Sequence, residues 1–262
     1  MIDTGLLNWT TSQFLCLVTI MIRVAPLLFF MPVIGSPSVP SQLKVLLSLM
    51  TGLVLVPVVQ VTPADLPESV AGLFLLVVTE VCFAALLAVL ARLVFASFQI
   101  AGQMVGIQMG MGMAGVMDPQ FGVQVSLVGQ FWNLIAILIF LAINGHHLFI
   151  NTLIESFVWV KPGSLHLTQA TYNGMMRGAA QMFVMAVKIM APASAAVFFS
   201  HVAMGIIAKT VPQIPILIVG MPINIGVGLI FVGLSLGYFL PLMMSYFDQL
   251  GRDLPRMAAG MG

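Results

Sequence analysis

Five ionisable side chains lie in apolar stretches of this 262-residue chain or at their edges: Arg23, Glu80, Arg92, Asp118 and Lys188. A charge in hydrocarbon costs at least about 2.5–3.5 kcal/mol, so each of them needs a partner, water or a protein-lined space. Glu80 and Arg92 would lie about 120° apart on a helix, so they cannot pair within it. We expect Glu80 to form a structural ion pair with a cation on another helix or subunit. A proton relay or ion site is the alternative. The buried ion-pair candidates are therefore Arg23, Glu80, Arg92 and Lys188.

No pattern typical of an enzyme or a metal centre occurs in the sequence. His146 and His147 are adjacent and would point in different directions from a helix, whereas a metal site needs i,i+4 spacing or supporting ligands nearby. His201 is expected to be a hydrogen-bonded core residue. Cys16 and Cys82 lie in apolar runs and are expected to be buried small hydrophobes rather than a disulfide. The sequence predicts no catalytic activity, no cofactor and no metal.

The elements that position these residues are predicted to be membrane helices. Hydrophobic residues make up 60% of the chain and charged residues 6%, against about 25% charged in soluble domains, and the mean hydropathy is +1.12. The net charge of +1 indicates no nucleic-acid partner. The start of the chain lacks signal-peptide features and is interpreted as the first helix. We predict an all-α membrane protein with about six long, kinked helices near residues 11–31, 42–61, 69–100, 124–143, 175–209 and 216–243. A shorter apolar piece runs to Val160, and a polar tail starts at Ser245.

A stretch rich in glycine and methionine follows the third of these helices, over residues 101–122. Gly102, Gly106 and Gly110 recur every fourth residue, which puts them on one helix face where membrane helices touch closely. Beyond Met109 the glycine density disfavours helix, and Asp118-Pro119 stops it. Non-helical backbone at membrane depth is tolerated only where protein or a cavity surrounds it. This segment is therefore predicted to lie inside a pore and to move.

Several ordered motifs resemble the FliR family of type III secretion export-gate subunits. The resemblance covers residues 23–222 and depends on Arg23-Val-Ala-Pro26 with Pro32, Gly35 and Pro40, on Gly106-Ile-Gln-Met-Gly110 with Asp118-Pro119, on Asn144-Gly-His146, and on Pro212-Gln213 with Val219-Gly220-Met-Pro222. It implies a multi-pass bacterial inner-membrane protein at the flagellar basal body. The implied partners are FliP, FliQ, FlhB, membrane lipid and transient unfolded export substrates.

The resemblance also implies a division of the chain and a role for its centre. Residues 1–165 would be similar to a FliP subunit, and residues 166–262, a helical hairpin and tail, to a FliQ subunit. The loop 106–122 would act as a plug in the channel. The implied plug residues are Gly106, Gln108, Met109, Gly110, Met111, Gly112, Met113, Gly115, Met117, Asp118 and Pro119.

Two other functions remain as alternatives. One is the export-gate subunit of a virulence injectisome, which has the same architecture but other substrates. The other is a secondary transporter in which a broken helix at 106–122 and Glu80 or Asp118 couple protons. The transporter predicts inverted internal repeats, and none is visible in the sequence.

Overall fold

The chain is all-helical over the residues that the structure describes. A computed structural model describes residues 4–59, 69–111, 126–213 and 215–261, with only the backbone described for 4–11, 216 and 217. Within these ranges there is no β-strand, and seven α-helices follow one another: α1 Thr4–Phe30, α2 Ser41–Leu55, α3 Val70–Gln108, α4 Leu127–Ala142, α5 Gly145–Trp159, α6 Gln169–Thr210 and α7 Ile216–Ala259.

Several helices differ from the predicted bounds by six residues or more, and two differences have local reasons. Helix α2 ends at Leu55 rather than near residue 61, because Pro57 has no backbone N–H with which to continue the helical hydrogen bonds. The apolar piece predicted to end at Val160 is a helix of its own, α5. It is separated from α4 by Asn144, whose φ of 55° is left-handed. Asparagine is one of the few residues that adopt this conformation readily.

Helix α7 runs sixteen residues beyond the predicted end at 243, to Ala259. Polarity suggested a tail from Ser245, but buried residues continue at helical spacing: Tyr246, Phe247, Leu250, Leu254, Met257 and Ala258. An apolar stripe at i, i+3 and i+4 predicts an amphipathic helix even where charged residues occupy its other face. The predicted end of the last helix near residue 243 was therefore wrong.

Among the described residues, four helices are long and apolar enough to cross a membrane. The number is up to five if α4 and α5 together form one bent span. The four lie within α1, α3, α6 and α7. Helix α2, with 15 residues, is shorter than the roughly 20 residues that a span requires. The prediction of six long helices therefore exceeds the number of long helices in these ranges.

Two compact units interleave along the sequence. The first comprises Met1–Arg92, Asn144–Gly178 and Asp248–Gly262, and the second comprises Leu93–Ile143 and Ala179–Phe247. Each unit draws on both sides of residue 165. The division into 1–165 and 166–262 depends on likeness to other subunits and stays a prediction.

Candidate functional site

Arg23 of α1 and Glu80 of α3 form an ion pair in the interior of the first unit. The Arg23 side chain is fully buried, and Glu80 is 2% exposed. Nε of Arg23 donates to Oε2 of Glu80, and Nη2 donates to Oε1 at 3.0 Å. This two-point geometry matches the planar fork of the guanidinium to the carboxylate. Glu80 thus meets a cation on another helix.

The remaining polar groups of this pair are satisfied by backbone and side-chain atoms around it. Nη1 of Arg23 donates to the carbonyl of Ser156 at 3.1 Å and to its hydroxyl at 3.2 Å, and Nη2 donates to the carbonyl of Val160 at 3.1 Å. The backbone N–H of Gly163 donates to Oε1 of Glu80 at 2.9 Å. A guanidinium has five N–H donors, and five hydrogen bonds use them. The cluster is therefore built to join α1, α3 and the end of α5, which favours a structural role over proton transfer.

Aromatic rings close this cluster on two sides. The guanidinium carbon of Arg23 lies 4.3 Å from the ring centroid of Phe157 and 4.9 Å from that of Phe83. Cation–π attraction strengthens when water is excluded. The rings therefore stabilise the cation while keeping water from the ion pair.

The other two ion-pair candidates are exposed. Arg92 lies on α3, where its Nε donates to the carbonyl of Phe30 at 2.7 Å. Phe30 ends α1, and the last carbonyls of a helix lack partners within it, so Arg92 caps that helix rather than pairing with Glu80. Lys188 projects from the middle of α6, and no described carboxylate lies within ion-pair distance of it.

The histidines and cysteines form no site in the described ranges. The rings of His146 and His147 are 4.3 Å apart at the start of α5, and none of the described His, Cys, Asp or Glu residues groups as a metal site would require. Both cysteines are free; Cys16 is buried as expected, but Cys82 is exposed. His201 is also exposed rather than in the core. Both lie on exposed sides of apolar helices, where local hydrophobicity gives no indication of burial.

The glycine face predicted before Met109 brings α3 and α4 into direct backbone contact. A Cβ placed on Gly102 would lie 2.4 Å from Cα of Gly129, and one on Gly106 would lie 2.5 Å from Oγ of Ser126. The same Ser126 hydroxyl donates to the carbonyl of Gly102 at 2.9 Å and accepts from the N–H of Gly129 at the start of α4. No larger side chain fits at Gly102 without separating the two helices.

Helix α3 ends at Gln108, close to the predicted limit near Met109, and Gly110 causes the stop. Gly110 has a left-handed φ of 83°. Its N–H donates to the carbonyl of Ile107 at 2.9 Å, and that of Met111 donates to Gly106 at 3.0 Å. This pair of bonds is the Schellman helix end, in which glycine supplies the left-handed residue. Gly110 therefore ends the helix and does not belong to the packing face that was predicted to include it.

Met109, at this helix end, is fully buried and packs against α7. A Cβ placed on Gly228 would lie 2.6 Å from Cγ of Met109, and the nearest atom to a Cβ on Gly110 is Cε of Met221 at 3.6 Å. Oε1 of Gln108 is buried and has no hydrogen-bond partner among the described residues. Sequence reasoning missed Gly228, because α7 carries many glycines and spacing alone does not indicate which one faces α3.

The predicted plug residues divide at the edge of the described segment. Gly106 and Gln108 lie in α3, and Met109, Gly110 and Met111 form the turn that follows. The others lie outside the described residues, within 112–125: Gly112, Met113, Gly115, Met117, Asp118 and Pro119.

Comparison with known proteins gives consistent matches over most of the chain. The family model described as "Bacterial export proteins, family 1" matches residues 14–250. The flagellar biosynthetic protein FliR of Pectobacterium carotovorum subsp. carotovorum is 27% identical over 94% of this chain and 90% of its own length. FliR of Bacillus subtilis (strain 168) is 27% identical over 98% of this chain and 99% of its own length. FliR of Escherichia coli (strain K12) is 23% identical over 93% of this chain and 91% of its own length.

Proposed function

The chain belongs to the bacterial export proteins, family 1, and we propose that, within the flagellar export apparatus of which it is a component, it forms the export channel together with FliP and FliQ. It is a multi-pass protein of the inner membrane at the flagellar basal body. In this proposal FlhB associates with the assembled channel, and unfolded flagellar proteins pass through it. The chain contributes no catalytic step.

The main support for this proposal is that the family model matches residues 14–250 of the chain. The relatives described above are named for flagellar biosynthesis, which favours a flagellar gate over an injectisome gate. The satisfied hydrogen bonds of Glu80 argue against Glu80 as the proton-coupling carboxylate of a transporter, since such a group needs an open route for its proton. Asp118, the other carboxylate of that alternative, lies outside the described residues.

Within the channel, we propose that the segment from Gly106 to residue 122 is the plug. Its base is the last turn of α3, and its path starts at Gly110, where the left-handed φ of 83° turns the chain away from the helix axis. In this proposal the methionines fill the pore with soft, unbranched side chains. The glycines let the backbone bend when an unfolded substrate enters.

Co-purification with complementation tests the proposed assembly. An affinity-tagged copy of the chain, expressed with FliP and FliQ from the same flagellar system, should purify with both in a fixed ratio. It should also restore swimming to cells that lack their own copy. A chain that purifies alone, stays folded and binds a small solute would contradict the proposal and favour a transporter. Selective recovery with injectisome subunits would support the alternative gate.

A further inference from the structure

Lys188 is an exposed cation on an apolar face of α6. Neither the residues before it, 178–187, nor those after it, 189–208, include Asp, Glu, Lys or Arg. Within the described part of the chain, its ammonium makes no ion pair and no hydrogen bond. An ammonium in hydrocarbon is costly unless another group neutralises it. The neutralising group for Lys188 must therefore come from outside the described chain.

The side chains near Lys188 on α6 are apolar in both directions along the helix. Val184 lies one turn before it and Ala191 lies one turn after it, and both are exposed. The adjacent Val187 is 59% exposed, and Phe199, three turns further along the same face, is 68% exposed. A lysine that reaches lipid headgroups stands at the end of an apolar surface. Lys188 instead lies within one, since the surface continues on both sides of it.

The backbone of Lys188 adds an open hydrogen-bond acceptor to this face. Pro192 lies inside α6, four residues after Lys188, and proline has no N–H to donate. The helical hydrogen bond that the Lys188 carbonyl would accept from residue 192 is therefore missing. Polar side chains of neighbouring helices are among the groups that satisfy such carbonyls in membranes. One turn of α6 thus presents both a cation and an acceptor to whatever covers it.

We propose that this face of α6 docks a membrane helix of a different subunit, and that the docked helix offers Lys188 the carboxylate of an Asp or Glu. Charge complementarity decides the partner, because a carboxylate that lies among apolar residues neutralises the ammonium without exposing either group to hydrocarbon. The small exposed residues Ala191 and Ala195 let the partner helix approach closely. This inference rests on the proposed assembly and names the chemistry of one of its contacts.

A second copy of this chain is a poorer match for the same face. Among the described carboxylates, Glu80 is buried in its ion pair, and both aspartates of α7 lie in its charged C-terminal part. Glu155 of α5 is exposed, but the exposed Asn151 and His147 lie one and two turns before it. A carboxylate in such a polar stripe does not match a lysine that is surrounded by apolar side chains.

Substitutions at Lys188 test this inference in the full chain assembled with its partner subunits. Wild type, Lys188→Met and Lys188→Arg are affinity-purified, and the recovered partner subunits are measured against the amount of the chain itself. Lys209→Met is the charge-matched control, because Lys209 is an exposed lysine in the last turn of the same helix. Gly233→Ala, where a Cβ meets nothing within 4 Å, controls for a conservative change elsewhere on the apolar surface.

We expect Lys188→Met to weaken association with the partner subunits about thirtyfold. This factor corresponds to about 2 kcal/mol, the cost of truncating one member of a buried charge pair. Lys188→Arg keeps the charge and should retain most of the association. The amount of the chain in the membrane should be equal for all variants, because Lys188 makes no contact that holds the chain itself together. Both controls should assemble like wild type.

Cross-linking with dicyclohexylcarbodiimide, an apolar reagent, identifies the carboxylate directly. The reagent activates a carboxylate, and the amine of an adjacent lysine then displaces the activating group, so that an amide forms and a urea leaves. In the wild-type assembly, mass spectrometry should find Lys188 joined to an Asp or Glu of a different subunit. Lys188→Arg should assemble without this cross-link, since a guanidinium stays protonated and does not attack.

Two results would overturn the inference. One is a Lys188→Met variant that assembles as well as wild type, and weaker binding of that variant to phosphatidylglycerol vesicles would then assign Lys188 to lipid headgroups. The other is a cross-link from Lys188 to Glu155 of a second copy. The proposed assembly is tested separately by the wild-type chain. If wild type assembles and Lys188→Met assembles equally, only the role of Lys188 fails; if wild type purifies alone, the assembly itself fails.

Discussion

Replacing Glu80 by glutamine tests whether the Arg23–Glu80 cluster is structural. In this variant Arg23 remains a fully buried cation. The amide oxygen can accept one of its two former hydrogen bonds to the carboxylate, but the amide N–H₂ group repels the other guanidinium N–H. Removing one partner of a buried pair costs about 3–5 kcal/mol. Three bonds from Arg23 to Ser156 and Val160 remain, as do two aromatic rings. We therefore expect the free energy of unfolding to decrease by an amount near the lower end of this range, about 3 kcal/mol.

The assay is the apparent melting temperature of the purified assembly, followed by intrinsic fluorescence in detergent. A loss of about 3 kcal/mol corresponds to a decrease of roughly 6–12 °C for a chain of this size. Arg92→Gln is the matched control, because that arginine is exposed on the same helix and makes one hydrogen bond, to Phe30. The control should shift the melting temperature by less than about 2 °C.

A double replacement separates structure from proton chemistry. Arg23→Met with Glu80→Leu removes both charges from a pocket lined by Phe83 and Phe157. Apolar replacement of a whole buried pair is often close to neutral, so we expect this variant to melt above Glu80→Gln and to retain export. The reasoning is refuted if Glu80→Gln melts within about 2 °C of wild type while export is abolished. That result would indicate a carboxylate that transfers protons.

Three further predictions follow from the helix contacts. Gly102→Ala should lower the yield of folded assembly several-fold, because its Cβ would meet the backbone of Gly129 at 2.4 Å. Gly205→Ala, where a Cβ meets nothing, should leave that yield unchanged or raise it, and equal yields for both would contradict the close contact of α3 and α4. Gly110→Ala should destabilise the helix end by about 1–2 kcal/mol, the cost of a left-handed conformation for alanine. The melting temperature of the assembly should therefore decrease, and an unchanged melting temperature would refute this prediction. Ser126→Ala should cost about 0.5–2 kcal/mol by removing the cap of α4, measured the same way; Ser126→Thr, which keeps the hydroxyl, should retain most of that stability.

The sequence predicted the helical class and the limit of α3 well, because both depend on local physics. Charge-free apolar runs indicate membrane helices regardless of context, and a left-handed glycine ends a helix by itself, as Gly110 does. The end of α7 was missed, since polar residues from Ser245 onward conceal an apolar stripe that becomes evident only against its partners. The exposed positions of Cys82 and His201 were missed for the related reason that hydrophobicity does not distinguish core from outward-facing sides in a membrane protein.

The sequence predicted what type of residue a buried side chain would contact, but not which residue. The cost of a lone buried charge indicated that Glu80 needs a cation on another helix, but helical geometry could exclude only Arg92 and could not select Arg23, 57 residues away. Gly228 carries no signal that distinguishes it from Gly226 or Gly233, because the distinction comes from Met109 on α3. Long-range packing of this kind depends on the register between helices, which spacing within one helix does not contain.

The conductance of the assembled gate in a planar bilayer tests the central claim most directly. Gates containing the wild-type chain, the chain without residues 112–117 and the control Gly233→Ala would be compared at equal amounts of assembled complex. If the segment after α3 closes the channel, the deletion should give a steady ionic current, while the wild type and the control stay silent. A deletion gate that assembles fully and remains as silent as wild type would contradict the claim that this segment is the plug.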